Sequence, residues 1–230
     1  KGESPKLATI REGENPDDIS YEKGATKKLT SFGLEVESKV FPGDISDEAF
    51  KKEFAAINAD ASVDGILMLR PLPKQINEQD IEKMIDPAKD LDGISPVNIA
   101  KVFSGDTSGF APCTAEAVVC MLKMNDIALS GKRVAVVGRS MVVGRPLSML
   151  LLHENATVTI CHSRTASLPE VCREADILTA CVGKAAMINH TYVKKDAVVI
   201  DVGINVDENG KLCGDVDFAD LEGTASAATP

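Results

Sequence analysis

A strand-like run that ends in two glycines is the part of the chain best suited to bind an anion. Residues 134–137 are apolar and mostly β-branched, as expected for a parallel strand buried on both faces. Gly138 and Gly144 follow, and Pro146 suits the first turn of a helix, where its missing N–H is not needed. The free amides and the positive dipole end of such a helix would bind the pyrophosphate of a dinucleotide.

The spacing of these glycines leaves a second interpretation open. Ser140 stands where the common G-x-G-x-x-G fingerprint has its second glycine. A strand, a glycine turn and a helix start also occur together for purely structural reasons. The motif therefore indicates a nucleotide site only in combination with other motifs.

A second motif indicates which dinucleotide would bind. The pattern of a second strand, residues 156–161, is followed by Ser163, Arg164 and Thr165, about where a nucleotide-binding fold contacts the adenosine ribose. Sites for NAD place an acid there, whereas arginine accommodates a 2′-phosphate, and this segment contains no acid. Together with Arg139, these donors favour NADP. NAD bound beside a free anion such as phosphate is the alternative at this point.

The elements that must position these motifs alternate between strand and helix patterns, which predicts an α/β fold. The last two predicted strands each deliver a glycine near the carboxyl end, Gly183 and Gly203, where both can border a nucleotide. A capping signal at Ser46 and one apolar face, Phe50, Phe54 and Ile57, predict a helix packed in the core. The predicted strands are residues 7–10, 34–41, 65–69, 134–137, 156–161, 177–181 and 198–202.

The first predicted helix follows a turn-rich segment and should end at Gly33. Asp18 or Ser20 is the expected N-cap. The apolar residues of this helix share one face. The residues that share this face are Tyr21, Ala25, Leu29 and Phe32.

Composition limits the partners and the compartment. The formal net charge of −10 argues against nucleic acid or an anionic membrane as the main partner. The six cysteines form no C-x-x-C pair and the three histidines are widely spread, so reduced thiols are expected and no metal site. Disulfides or a metal site are the less favoured alternatives. Without a signal peptide or a membrane-length apolar run, a cytoplasmic location is expected.

The length of 230 residues fits two modest domains better than one large domain. The polar, glycine-bearing stretch at residues 105–114 predicts the boundary, which gives domains 1–113 and 114–230. The chain has no initiator methionine and stops at Pro230 without an obvious closing element, so we expect it to be part of a longer protein.

Several short motifs follow one another in a characteristic order. They are Pro71-Leu72-Pro73, Asp90-Leu91-Asp92-Gly93, Pro112-Cys113-Thr114, Gly138-Arg139-Ser140 with Val143-Gly144-Arg145-Pro146, His162-Ser163-Arg164-Thr165, and Ile200-Asp201-Val202-Gly203-Ile204-Asn205. From near residue 5 to the end, they closely resemble the methylenetetrahydrofolate dehydrogenase/methenyltetrahydrofolate cyclohydrolase family. The resemblance implies an N-terminal α/β catalytic domain, a Rossmann-type NADP-binding domain, a folate cleft between them and a homodimer. It also places a further C-terminal segment beyond Pro230.

The resemblance implies two linked reactions on tetrahydrofolate derivatives. Hydride passes from the methylene carbon of 5,10-methylenetetrahydrofolate to NADP and leaves a methenyl cation. Water then opens this cation to 10-formyltetrahydrofolate. The first step needs mainly proximity and orientation, whereas the second needs a group that activates water and moves protons.

The resemblance also assigns the substrate site. Tyr21 packs on the folate and Asp92 binds the pterin, with Leu69 and Pro71 in the same site. The family has a lysine four residues after the tyrosine and a glutamine just before the prolyl loop. Ala25 and Leu69 stand at these positions, so hydrolysis is expected to be weak or absent while hydride transfer is retained.

Another cation near Tyr21 could replace the absent lysine. Lys28 returns near the face of Tyr21, but about two helical turns further along, roughly 10 Å away. It is therefore a candidate catalytic residue, with a solvated helix face as the alternative. Arg70 follows Leu69, so in a regular strand its side chain leaves on the opposite face, unless the prolines that follow alter the register.

Two other functions are compatible with the same motifs. The chain could be a non-catalytic sensor of folate and NADP, since a fold does not fix a function. A dehydrogenase acting on a small acid or amino acid would leave the N-terminal motifs unexplained. The residues expected to contact the cofactor are Gly138, Arg139, Ser140, Val143, Gly144, Pro146, Ser163, Arg164, Thr165, Gly183, Gly203 and Ile204.

Overall fold

The computed structural model describes residues 4–208 and 210–229. The chain divides into two compact units, Lys1–Ala111 and Pro112–Pro230, where the sequence predicted a division after residue 113. The predicted ranges also begin at residue 1 and end at residue 230, and both of these lie outside the described residues.

Unit 1 is a parallel sheet with four helices. Its strands lie in the order β2-β1-β3, and a bridge between Ile66 and Asp90 extends the sheet beyond β3. The strands are β1 (Lys6–Glu12), β2 (Glu35–Phe41) and β3 (Gly65–Met68). The helices are α1 (Pro16–Ser31), α2 (Asp47–Ala59), α3 (Glu78–Met84) and α4 (Pro96–Ser104).

The core of unit 1 lies between this sheet and α2. Every second residue of β1 and β3 enters it, as the twofold alternation of a strand requires, and Phe50 and Phe54 of α2 are fully buried against them. Ser46 caps α2 by accepting a hydrogen bond from the amide of Ala49 at 3.2 Å. The prediction for this helix is therefore confirmed.

The prediction for the N-cap of α1 was wrong, and the apolar face of this helix is not its buried face. The helix begins at Pro16 and its N-cap is Asn15, whose side chain accepts from the amide of Asp17. Tyr21 is 61% exposed and Phe32 is 68% exposed. The buried residue of this helix is Glu22, so a polar side chain takes the inward position that the apolar pattern suggested for others.

Glu22 fastens α1 to the sheet through hydrogen bonds. Its carboxylate accepts from Oγ1 of Thr9 at 2.7 Å, from Nε of Arg11 at 2.8 Å and from Oγ of Ser38 at 2.6 Å. Burial by itself would raise the pKa of Glu22, but the hydrogen bonds from Ser38, Arg11 and Thr9 outweigh it and lower the pKa. The carboxylate thus accepts hydrogen bonds from side chains of both β1 and β2.

Unit 2 is a five-stranded parallel sheet in the order β10-β7-β6-β4-β5, accompanied by helices and a two-stranded hairpin. The strands are β4 (Arg133–Val137), β5 (Thr157–Cys161), β6 (Ile177–Ala180), β7 (Val198–Asp201) and β10 (Ala227–Ala228), with β8 (Asn205–Val206) and β9 (Leu212–Cys213) in the hairpin. The helices are α5 (Cys113–Met124), α6 (Gly144–His153) and α7 (Leu168–Arg173), with 3₁₀ turns at His190–Tyr192 and Ala219–Leu221.

All seven predicted strands are present, and the α/β class is confirmed. The sequence patterns missed α3, α4 and α7, which are short, and the strands β8, β9 and β10, which have two residues each. All six cysteines are free thiols. In the described part of the chain, no helix is both long and apolar enough to cross a membrane.

Glu12 is a buried carboxyl group at the carboxyl end of β1. It is 9% exposed, and its Oε1 has no hydrogen-bond partner among the described residues. Burial raises the pKa of Glu12 from 4.5 to about 7, and the nearby Asp18 adds to the shift. Because this folded-state pKa exceeds the unfolded value, the unfolded chain releases the proton first, and stability falls as pH rises through this window.

Replacing the carboxyl group of Glu12 by a neutral amide should remove its contribution to the pH dependence of the free energy of unfolding. We expect Glu12→Gln to unfold with a free energy about 2–3 kcal/mol higher than wild type at about pH 8, with little difference at about pH 4. Urea unfolding at a series of pH values measures this. Glu14→Gln, an exposed neighbour, is the control and should track wild type. Parallel pH curves for wild type and Glu12→Gln would contradict the assignment.

Candidate active site

The two predicted nucleotide motifs follow neighbouring strands of unit 2. Strand β4 pairs with β5 in parallel, and Val137 lies opposite Cys161 at their carboxyl ends. The glycine turn that begins at Gly138 and the loop that contains Arg164 therefore start side by side. In an open parallel sheet this edge is where ligands bind.

Gly138 and Gly144 are required by close backbone contacts. A Cβ atom on Gly138, where φ is 139°, would lie 2.3 Å from the carbonyl oxygen of Cys181. A Cβ atom on Gly144 would lie 2.3 Å from the carbonyl oxygen of Gly138. No side chain fits at either position, so both glycines are needed to bring α6 against the end of β4.

The start of α6 has the properties of a phosphate site. The helix begins at Gly144, and the preceding residue, Val143, makes no capping hydrogen bond with its side chain. Ser140 shapes the turn, because its hydroxyl accepts from the amide of Val143 and its carbonyl accepts from the amide of Arg145. Pro146 lies in the first turn, as predicted. The amide of Arg145 donates to Ser140 and Pro146 has no N–H, so among the described residues of this turn it is the amide of Gly144, at the positive end of the helix dipole, that is left for an anion. This fits the pyrophosphate of a dinucleotide.

The loop after β5 is a compact turn that exposes its donors. The amide of Thr165 donates to the carbonyl of His162, whose own amide donates to Oγ1 of Thr165 at 2.9 Å. The amide of Arg164 donates to Nδ1 of His162 at 3.1 Å. Ser163 and Arg164 are exposed, so their side chains are available to a ligand phosphate.

Asp215 organises the loop that contains Gly183, a role that the sequence analysis did not identify. This fully buried carboxylate accepts from the amides of Val182 at 2.6 Å, Gly183 at 3.1 Å and Lys184 at 2.8 Å. The side-chain amide of Asn205 donates to it as well, at 2.9 Å. One carboxylate thus fixes the backbone that follows β6.

Asp201 plays the matching role at the end of β7. It accepts from the amides of Gly203 at 2.9 Å, Asp215 at 3.0 Å and Val216 at 2.9 Å. A Cβ atom on Gly203 would lie 2.2 Å from the carboxyl carbon of Asp215, so this glycine is required by packing against a carboxylate. Ile204, predicted to contact the cofactor, is 83% exposed and lies directly before the hairpin.

The predicted substrate residues of unit 1 lie at and after the carboxyl end of β3. Leu69 is buried, and its amide donates to the carbonyl of Ile10 at 2.9 Å. The peptide bond between Arg70 and Pro71 is cis, and Pro71 is exposed. Arg70 points towards α3, where it pairs with Glu78 and Glu82.

Asp92 lies in a loop whose conformation is fixed by the hydrogen bonds of a second aspartate, Asp90. Asp90 is fully buried and accepts from the amides of Ile94 at 3.0 Å and Ser95 at 2.8 Å, and from the side chain of Asn98 at 2.9 Å. The bridge between Asp90 and Ile66 places this loop beside β3. Oδ2 of Asp92 is 3.7 Å from Nη2 of Arg70, so the structure brings these two residues together.

The candidates on α1 are distributed along the helix. Tyr21 is exposed and Ala25, which is partly buried, lies one turn further on. Lys28 is in the last turn, and its ammonium lies 5.0 Å from the centre of the Phe32 ring. A cation–π contact of this kind stabilises the helix end, and a catalytic role for Lys28 stays a prediction. Among the described residues, no group of three or more potential ligands could bind a metal ion.

Both units match profiles of one protein family. Residues 1–92 match the tetrahydrofolate dehydrogenase/cyclohydrolase catalytic domain. Residues 112–230 match the tetrahydrofolate dehydrogenase/cyclohydrolase NAD(P)-binding domain. The chain belongs to the tetrahydrofolate dehydrogenase/cyclohydrolase family. Unit 1 is thus its catalytic domain and unit 2 its NAD(P)-binding domain.

Known members of the tetrahydrofolate dehydrogenase/cyclohydrolase family are similar over almost the whole chain. The bifunctional protein FolD of Clostridium kluyveri is 51% identical over 230 residues, which make up 100% of this chain and 81% of that protein. The crystal structure of bifunctional FolD from Campylobacter jejuni is 36% identical with a TM-score of 0.97, covering 100% of this chain and 81% of its own. That of Trypanosoma brucei FolD, complexed with NADP and an inhibitor, is 32% identical with a TM-score of 0.92, covering 98% and 79%.

Weakening Asp215 should impair cofactor binding in the NAD(P)-binding domain. In Asp215→Asn the acceptor loses its charge and presents an NH₂ group to backbone donors, so the loop with Gly183 loses its anchor. We expect the dissociation constant for NADP to rise about tenfold or more, and the free energy of unfolding to fall by about 1–3 kcal/mol.

Calorimetric titration with NADP and urea unfolding measure the two effects. Asp217→Asn is the matched control, because the carboxylate of Asp217 accepts from the amide of Asp220 and not from the loop after β6. An unchanged NADP affinity in Asp215→Asn would show that this loop does not contribute to binding.

Proposed function

We propose that the chain is an NADP-dependent dehydrogenase that oxidises 5,10-methylenetetrahydrofolate to 5,10-methenyltetrahydrofolate. The observation that carries the proposal is the adjacency of the glycine turn at Gly138 and the loop with Arg164, after two paired strands. These are the positions from which pyrophosphate and a 2′-phosphate would be bound. Membership of the tetrahydrofolate dehydrogenase/cyclohydrolase family supports the substrate class.

The residues of the chain act mainly by binding and orientation. The amide of Gly144 and the positive end of the α6 dipole bind the pyrophosphate, and Ser163 and Arg164 bind the 2′-phosphate. Tyr21 packs on the folate, and Asp92 orients its pterin. When bound, NADP supplies the acceptor for the hydride of the methylene carbon. Since the folate nitrogens stabilise the resulting cation, this step needs no acid or base from the protein.

Of the two reactions, we expect hydrolysis of the methenyl product to be much weaker than hydride transfer. Water attack needs a group that positions water and transfers protons. Ala25 and Leu69 have apolar side chains and cannot do either. Arg70 is paired with carboxylates, and its guanidinium has donors and no acceptor, so it cannot act as a base.

A time course with NADP and methylenetetrahydrofolate tests the proposal. We expect NADPH and methenyltetrahydrofolate to rise together, because hydride transfer does not depend on Ala25 or Leu69, and methenyl absorbance to persist for as long as its spontaneous hydrolysis allows. The two absorbances are followed separately. NADPH without methenyl would mean that the site still hydrolyses. Tight binding of both ligands without NADPH would instead support a non-catalytic sensor.

Restoring the two polar side chains should restore hydrolysis. In Ala25→Lys with Leu69→Gln, a lysine and a glutamine return at the positions where the family pattern has them, and we expect methenyl hydrolysis to rise about tenfold or more. Hydride transfer should stay within about threefold, since it depends on orientation. The single variants are the controls. No gain in the double variant would contradict the idea, or would show that another residue such as Lys28 already catalyses hydrolysis.

We also propose that the chain forms a homodimer in the cytoplasm. The hairpin region exposes Ile204, Val206 and Leu212, which are 83%, 64% and 70% exposed, and a second copy of the chain would bury them. The six free thiols fit a reducing compartment. Sedimentation equilibrium measures the mass, and a monomer at micromolar concentration would exclude the dimer.

A further inference from the structure

Arg70 is a mostly buried cation at the end of β3. Its side chain is 16% exposed. Three carboxylates surround it, two from α3 and one from the loop that contains Asp92. Arg70 stands where the family pattern has a leucine.

The two ends of the guanidinium contact different parts of unit 1. Nη1 lies 3.1 Å from Oε1 of Glu78 and 3.6 Å from Oε1 of Glu82. Nη2 lies 3.7 Å from Oδ2 of Asp92. The cation therefore bridges α3 and the loop with Asp92.

Helix α3 fixes the position of the guanidinium. Glu78 and Glu82 are one helical turn apart, so both carboxylates face Arg70. Glu78 also accepts from the amide of Leu72 through Oε2 at 3.5 Å, which ties α3 to the prolyl loop. Burial raises the pKa of Glu82, and the charge of Arg70 opposes the shift. With Nη1 anchored in this way, Nη2 stays directed at Asp92.

The guanidinium is suited to this bridging role and an ammonium is not. Its planar group presents donors in fixed directions at two ends, whereas lysine offers one compact charge. At 3.7 Å, the contact with Asp92 is an ion pair and not a hydrogen bond. Arg70 thus acts on Asp92 through its charge, from a position that its hydrogen bond with Glu78 fixes.

We propose that Arg70 is a positioning residue for Asp92 and, through Asp92, for the pterin ring of the substrate. The inference rests on the proposed function, in which Asp92 orients the pterin. Arg70 itself takes no part in hydride transfer. Its loss therefore weakens substrate binding and leaves the chemical step of the bound substrate largely intact.

The variant Arg70→Leu removes the charge and leaves a side chain that fits the family pattern. We expect the KM for methylenetetrahydrofolate to rise about tenfold or more, the kcat to stay within about threefold and the KM for NADP to be unchanged. Steady-state kinetics of the full chain measure all three. In Arg70→Lys, which keeps the charge and loses the bridge, the rise should be intermediate.

Glu78→Gln separates positioning from stability. This variant removes one of the two carboxylates on Nη1, and Glu82 still holds the guanidinium, so the ion pair between Nη2 and Asp92 is kept. We expect its melting temperature to fall at least as far as that of Arg70→Leu, with the KM for methylenetetrahydrofolate within about threefold of wild type. Equal increases of KM in Arg70→Leu and Glu78→Gln would overturn the proposal and leave Arg70 with a structural role.

A double-mutant cycle tests whether Arg70 acts through Asp92. Adding Arg70→Leu to Asp92→Asn should change the dissociation constant for tetrahydrofolate less than twofold, because the carboxylate that Arg70 attracts is already gone. Additive effects would overturn the proposal. Titration with tetrahydrofolate requires no turnover, so a chain that binds folate but does not oxidise it would refute the proposed function and still decide the role of Arg70.

Discussion

The end of β4 is so close to two other segments of backbone that no side chain fits there. Gly138 abuts the carbonyl of Cys181 after β6, and Gly144 abuts Gly138 itself. Strand β4 lies between β5 and β6, so this contact sets where the sheet ends and where α6 begins. That packing also places the amide of Gly144 at the start of α6, where it is left for an anion. Anion binding by unit 2 thus requires that neither of these two positions carries a side chain.

Unit 1 depends on a polar contact where an apolar one is usual. Helix α1 is attached to the sheet by Glu22, which bonds to Thr9, Arg11 and Ser38. Hydrogen bonds depend on direction, so these contacts hold the helix at one rotation about its axis. Apolar contacts would tolerate small rotations. With Glu22 directed inward, Tyr21 is directed outward, where a ligand can contact it.

The sequence predicts much of this fold because its strands are buried runs of apolar residues. Such runs identify strands without knowledge of their partners, and all seven were found. The glycine turn and the loop with Arg164 were also found, since their residues are close together in sequence. The sequence did not identify the buried face of α1. Glu22 is buried there because it bonds to Thr9, Arg11 and Ser38, which lie 13, 11 and 16 residues away. Asp215 and Glu78 were missed for the same reason, because their partners come from other loops and strands.

The carboxylates of Asp201 and Asp215 make three separate segments of unit 2 depend on one another. Asp215 binds the amides after β6, and its own amide is bound by Asp201 at the end of β7. Gly203 and Gly214 pack so tightly against these carboxylates that neither segment can shift alone. Separating any one segment leaves a buried carboxylate or several amides unpaired, which is costly in each case. Local opening at this edge is therefore all-or-none, and amide exchange after β6, after β7 and after β9 should share one opening equilibrium.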